Sequence, residues 1–399
     1  MTIPTIPRAA QDSHALVAER WRALGTAAES QAALADEASL QDVARFSRNI
    51  ENFIGTVKVP VGIAGPIRVQ GMHARGDYYL PLATTEAALV ASYSRGAQII
   101  TEAGGCAAAL LAEGVGRAPG FSFATLAQAA TFARWVEGQY EAFATVTART
   151  SAHAKLLGVR ASVEGNHVYV QLEFRTGEAA GQNMVTLATA AILQHVAGTA
   201  PVKCEHCFLE ANYSGDKKAS AHSLAGVRGK RVSAEVRLPR ALVADRLHTT
   251  PECMTEYWRM AALAGVLTGT VGVQGQFANG LAALYIACGQ DAACVAESAT
   301  GVTRLELARD GGLYACVTLP NVIVGSVGGG TGLPSQRACL DVIGKGGPAD
   351  ARALAELCAA LALAGELSLI GALCSGDFAR AHAERARGVT LPRQEVARA

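Results

Sequence analysis

The stretch that most constrains the fold is ALAGVLTGTVGVQGQFANGLAALYIACG, residues 262–289. It carries no charge, and 12 of its 28 residues are glycine or alanine. Such a segment cannot cover a surface by itself. It can only pack where helices and backbone approach each other closely. A chain of 399 residues, half of them apolar and 42 of them glycine, has the material for that. It is long enough for a large buried core and for two or more structural units. The formal net charge of +1 argues against a nucleic-acid binder, which would show a basic face or stripe, so an anionic ligand must be met by local charges.

The texture changes along the chain. Residues 12–47 are rich in Ala, Glu, Leu and Arg at helical spacing and predict an N-terminal helical segment. Residues 52–82 hold Pro60, Gly62, Gly65, Pro66 and Gly71, the chemistry of loops and short strands. A helix is expected over 84–103, capped by Thr84 or Thr85. Near Pro119 an α and β alternation begins: a helix over 124–146, strands over 158–163 and 167–175 joined at Glu164-Gly165-Asn166, a helix over 180–196 and a strand over 201–210. That alternation fits a small α+β insert. A final helix is predicted over 351–387. The apolar run 358–374, interrupted by Glu366, reads as too short to span a membrane. The N-terminus has no basic segment followed by an apolar one, so no signal peptide is read there. Ten cysteines scattered in apolar runs fit reduced thiols in a cytoplasmic setting. Cys204 and Cys207 form a single CxxC without zinc-spaced partners, so no metal is expected.

Five segments can carry chemistry, and each has a plainer alternative. Asp216-Lys217-Lys218, after Asn212-Tyr213-Ser214-Gly215, can bind a carboxylate or polarise a carbonyl, or be a solvated turn. Thr84-Thr85-Glu86 can serve a site or cap a helix. Gly289-Gln290-Asp291 places a carboxylate after an apolar run, for a site or for a cap. Gly325–Gly332 is neither a GxGxxG fingerprint nor a phosphate-binding Walker loop, yet its glycines can expose N–H groups to a phosphate or form a tight turn. His382 sits among Arg380, Arg385 and Arg387, where a solvated surface histidine is the alternative.

Their order decides between these alternatives. ENFIG (51–55), PVGIAGP (60–66), LATTEAALVAS (82–92), GEAAGQNMV (177–185), NYSGDKK (212–218), ACGQDAA (287–293), GSVGGGTG (325–332) and AGELSLIGAL (364–373) follow one another as in 3-hydroxy-3-methylglutaryl-CoA (HMG-CoA) reductases of class I, in a soluble prokaryotic form. The chain resembles that family from about residue 46 to 388. The resemblance implies an NADPH-dependent oxidoreductase of the mevalonate route, converting HMG-CoA to mevalonate and CoA with two hydrides and no metal. It implies Glu86, Lys217, Asp291 and His382 as the catalytic set. In that set Lys217 stabilises the developing oxyanion, His382 protonates the departing thiolate, and Glu86 protonates the new alkoxide. Asp291 lies between lysine and glutamate and tunes both.

The resemblance also implies that Arg117 meets the substrate carboxylate, that Asp216 and Lys218 help hold the acyl group, and that Asn279 is a polar contact. The cofactor stretch Gly177–Asn183, with Glu178, Gly181, Gln182 and Asn183, matches the family's DAMGMN. Gly328, Gly329, Gly330 and Thr331 match its second glycine-rich element, and Ser151 and Lys155 stand where the NADPH 2′-phosphate is held. Departures from the pattern are Glu178 for Asp, Gln182 for Met, Ala152 for Arg, Glu210 for Ser, Gln276 for His, Arg259 for Lys and Gly388 for the regulatory serine. Glu210, if it points inward, repels a substrate carboxylate, so the acyl group is the most open point; Ala152 leaves NADPH favoured over NADH. A relative acting on another acyl thioester and a silent CoA-ester-binding member are the alternatives. The retained Glu, Lys, Asp and His set speaks against silence. The implied α+β architecture has a helical segment (1–47), a large substrate and CoA domain around a central helix (48–118 and 210–399), and an inserted small ferredoxin-like nucleotide domain (119–209). A homodimer or higher homo-oligomer is implied, its sites shared: the lysine loop of one subunit meets the glutamate and aspartate of its neighbour.

Overall fold

In the computed structural model the described residues are 5–9, 11–347, 349–380, 383 and 389. Three apolar clusters form. The first is small: Val17, Trp21, Val43 and Phe53 pack together at the N-terminal end. The expected helical segment is four short helices, His14–Leu24, Ala28–Leu34, Glu37–Gln41 and Val43–Phe46. Gly25 at φ 61° ends the first, and the Asp36 carboxylate starts the third by accepting the Ser39 N–H.

The largest cluster surrounds the helix Ala351–Ser375, of whose 25 residues nearly all are buried. Its length and composition would suffice to cross a membrane, which corrects the reading of this run as too short, and the fold buries it inside the protein. Asp350 caps its start, and Gly376 at φ 75° ends it twelve residues before the predicted boundary at 387. The helix Leu89–Glu102 lies against it so closely that a Cβ on Gly96 would stand 1.9 Å from the Ala364 carbonyl oxygen. Two carboxylates inside the central helix serve backbone. Glu356 accepts the N–H groups of Met72, His73, Ala74 and Leu110, and Glu366 those of Gly275 and Gln276.

The main sheet path runs His206–Phe208, Gly120–Ser122, His167–Arg175, Cys106–Arg117, Gly229–Leu238, Leu313–Val322, Gly301–Leu307, Gly272–Val273. The strand Cys106–Arg117 belongs to two neighbourhoods. Ala107–Gly114 pair with Gly229–Leu238, and Val115–Arg117 pair with His167–Arg175. It delivers Arg117 to the crossing between them.

Beyond that crossing lies the second cluster, built on Phe121, Phe132, Phe143, Phe174 and Ile192. Its four strands stand in the order His206–Phe208, Gly120–Ser122, His167–Arg175, Lys155–Glu164, all antiparallel. Two helices, Leu126–Glu137 and Tyr140–Thr150, replace the single one expected over 124–146. The strand expected over 201–210 is only His206–Phe208, and the helix expected from residue 180 begins at Gln182.

Candidate active site

The lysine loop is built from backbone that few side chains tolerate. Asn212, Gly215 and Lys217 have φ of 63°, 74° and 57°. Lys217 in this left-handed region is strained for a residue with a long side chain. Its amide donates to Glu297 Oε1 at 3.1 Å, and its Nζ donates to Asp291 Oδ2 at 2.9 Å. Asp291 follows a turn that Gly289 makes possible: φ is 67°, and a Cβ there would meet the Gly330 carbonyl oxygen at 2.3 Å. Asp291 then caps the short turn Ala292–Cys294 by accepting the Ala293 N–H. The hydrogen bond to Asp291 raises the Lys217 pKa above the ordinary lysine value, so the ammonium persists. Burial raises the Asp291 pKa, but the hydrogen bonds from Lys217 and the Ala293 N–H, together with the Lys217 charge, outweigh it and the net shift is downward.

Around this pair lies a network of charges. Asp216 accepts from Arg117 Nη1 at 2.6 Å and from Arg228 Nη2 at 2.9 Å. Burial opposes its ionisation, yet the two arginines bring its pKa below the usual value. Arg117 also donates through Nε to Thr186 and stands 3.8 Å from Glu210. Glu210 accepts the Ala118 N–H at 3.2 Å, while its second oxygen, Oε1, is buried without a hydrogen-bond partner among the described residues. Lys218 turns back to its own loop and donates to the Asp216 carbonyl. Gln182 joins the network through Arg228 and Cys294. Arg228 and Glu297 were not singled out from the sequence. Glu297 is the lone charge of the run AACVAESAT, a signal that could have found it, whereas Arg228 beside Lys230 and Arg231 carried none.

Glu86 lies elsewhere in the chain. It precedes the helix, which begins at Leu89 because Ala88 adopts φ 70°; Thr84 does not cap that helix and instead accepts the Glu86 N–H. Glu86 lines a cleft of about 510 Å³ together with Asn279, Arg95, Arg246 and His248. Glu366 and Tyr93 fix the turn that projects Asn279 there: Tyr93 Oη donates to the Gln276 carbonyl and accepts the Gly280 N–H. Arg259 sits on the exposed side of the helix Pro251–Thr268, paired with Glu256 at 3.1 Å. His382 lies outside the described residues, as do Arg385, Arg387 and Gly388.

The two glycine-rich stretches lie against each other. Ala179 bridges Val327, and Ser326 N donates to the Glu178 carbonyl at 2.9 Å. The Glu178 carboxylate accepts from the Ser326 hydroxyl and from the Ala351 N–H, the first amide of the central helix. Gly181 at φ 85° precedes the 18-residue helix Gln182–Thr199, whose first turn carries the exposed Asn183. Gly328 and Gly329 have φ of 77° and 54° with open space where a Cβ would stand, while the Thr331 hydroxyl donates to the Gly328 carbonyl. Ser151 accepts the His153 N–H, and Lys155 opens the strand Lys155–Glu164. Among the described residues no cluster of His, Cys, Asp or Glu is placed to hold a metal ion.

Taken together, the fold and this cluster define a mixed α/β protein with a lysine–carboxylate centre and a separate glycine-rich cradle. The chain belongs to the hydroxymethylglutaryl-coenzyme A reductase family, whose model matches residues 16–387. It is 41% identical over 344 residues to the 3-hydroxy-3-methylglutaryl-coenzyme A reductase of Pyrococcus horikoshii, covering 84% of this chain and 83% of that one. It is 42% identical to that of Haloferax volcanii, with 85% of each chain covered. A class II reductase of Streptococcus pneumoniae, solved with NADPH in open conformations, shares the fold at a TM-score of 0.67 and 21% identity, over 91% of this chain and 98% of that one.

Asp291 pairs with Lys217 within one chain.

Proposed function

We propose that the chain reduces HMG-CoA to mevalonate and CoA using two NADPH, in the class I manner. The observation that carries this is the Lys217–Asp291 pair, held by a loop whose neighbours Asp216 and Arg117 are themselves fixed. Bound NADPH supplies the two hydrides. The cradle suits such a ligand: Gly328 and Gly329 leave open backbone, and the start of the helix Gln182–Thr199 offers N–H groups to a phosphate. Ser151 and Lys155 serve the 2′-phosphate, and Asn183 the remainder of the dinucleotide.

Lys217 donates to the thioester oxygen as negative charge develops, and Asp291 holds the ammonium on line. Arg117, Asp216 and Lys218 orient the acyl group. His382 protonates the leaving thiolate, and Glu86 the alkoxide of the second reduction. The cleft beside Glu86 and Asn279 suits CoA, because Arg95, Arg246 and His248 can meet its phosphates. The class I reading rests on the ordered sequence motifs, while the solved structure that shares the fold is a class II reductase at 21% identity.

The four-stranded unit over 119–209 is the ferredoxin-like nucleotide domain inserted in a large domain of 48–118 and 210–399, with 1–47 as the helical segment. Ten free thiols support a cytoplasmic setting. Two copies complete each other's sites, Glu86 of one facing Lys217 and Asp291 of the other. The outer face of the helix Pro251–Thr268 supports that pairing, since Met260, Leu263, Val266 and Leu267 are exposed. A thioester lacking a distal carboxylate is the second reading, favoured by Glu210 standing beside Arg117.

The test is stoichiometry. Oxidation of about two NADPH per HMG-CoA consumed is expected, because thioester-to-alcohol reduction needs two hydrides. A one-to-one ratio with accumulating aldehyde would overturn the reading.

A further inference from the structure

Arg228 joins both carboxylates that frame Lys217, and the chemistry above assigns it nothing. Its side chain is 4% exposed and that of Glu297 is 1%. Nη1 donates to both oxygens of Glu297. Nη2 donates to Asp216 Oδ1 at 2.9 Å and to Gln182 Oε1 at 2.8 Å. Glu297 in turn accepts the amide of Lys217 at 3.1 Å, the residue held at φ 57°. A left-handed lysine persists only where its surroundings over-determine it. Here one buried guanidinium fixes the acceptor of its amide and the carboxylate of the residue before it.

We propose that Arg228 is a positioning residue for the reduction: acting through Glu297 and Asp216, it holds Lys217 in the backbone conformation that delivers its ammonium beside Asp291. The proposal rests on the reading of Lys217 as the oxyanion stabiliser. Gln182 extends the linkage. Its Oε1 accepts from Arg228 while its Nε2 donates to Cys294 Sγ at 2.8 Å, three residues after Asp291. The methionine of the family pattern has no amide to make this pair of bonds. In this chain the start of the helix Gln182–Thr199 is therefore wired to both members of the lysine–aspartate pair.

The experiment compares the full chain with Arg228→Met, Arg228→Lys, Gln182→Met, Lys217→Ala and the double variant Lys217→Ala/Arg228→Met. For each, kcat and KM for HMG-CoA are measured below the unfolding midpoint. Arg228→Met is expected to lose about 100-fold in kcat with KM within about threefold, the signature of a displaced catalytic group. Arg228→Lys recovers part of the loss. In the Lys217→Ala background, adding Arg228→Met changes the rate by less than about threefold, because the group it positions is gone. A merely structural arginine would lower the unfolding midpoint and leave kcat of the folded enzyme near wild type, which would overturn the proposal. An equal loss in both backgrounds would overturn it too, since Arg228 would then act elsewhere. If Arg228→Met does not fold, Gln182→Met carries the test: kcat falls about three- to tenfold only when Lys217 is present, and an unchanged kcat overturns the proposal. Retention of more than about a tenth of the rate by Lys217→Ala would instead sink the reading of Lys217 itself, whatever Arg228 does.

Discussion

Glu210 is the residue where this chain departs most sharply from its family's pattern. It stands 3.8 Å from the arginine proposed to receive the substrate carboxylate, and its own second oxygen is buried without a partner among the described residues. Arg117 is thus shared between Asp216 and Glu210 before any substrate arrives. Replacing Glu210 by Ser removes one negative charge from that neighbourhood. KM for HMG-CoA should fall by about tenfold with kcat within about twofold. Steady-state kinetics on the purified variant decides it, and an unchanged KM would mean that Glu210 serves only to hold the Ala118 amide. The residues proposed to carry chemistry were singled out in the sequence because a lysine, an aspartate and a glutamate stand in ordered motifs. Arg228 and Glu297 were not, because their role lies in contacts between segments about 70 residues apart, which no local pattern records.

Among the elements, those with strong local signals emerged as expected, and those decided by tertiary contact did not. The strand His167–Arg175 alternates in burial and matches its predicted bounds. The helix expected from Thr84 starts at Leu89 because Ala88 turns the chain into a left-handed conformation, and that loop frees Glu86 for the cleft. Propensity alone does not foresee such a break. The packing of the helix Leu89–Glu102 on the central helix makes its own prediction. Gly96→Ala places a methyl group 1.9 Å from the Ala364 carbonyl oxygen and should destabilise by about 1–3 kcal/mol. Gly198→Ala, at an exposed position near the end of the helix Gln182–Thr199 with nothing within 4 Å, should stabilise by about 0.5–1 kcal/mol. Urea unfolding of both variants gives the comparison, and a neutral Gly96→Ala would show that the two helices can separate at little cost.

For the whole molecule, the shared-site proposal has its own test. One subunit carries Glu86→Gln and the other Lys217→Ala. Each homodimer is expected to be inactive, while a mixed dimer has one site with both lesions and one with none. Free exchange of equal amounts gives half mixed dimers, so activity should recover to roughly a quarter of wild type. Purifying the mixed species through two different affinity tags and finding it inactive would place both residues in one site of one chain. The central helix has a consequence of another kind. The strands and helices that enclose it are spelled out before residue 323, and the helix itself begins only at Ala351. During synthesis the ribosome therefore releases the walls before the pillar. The walls wait, their inner faces wet, until the helix Ala351–Ser375 has been made. Until that moment the nascent chain offers chaperones its largest apolar surface. A pause in translation placed just upstream of Ala351 would lengthen the exposure.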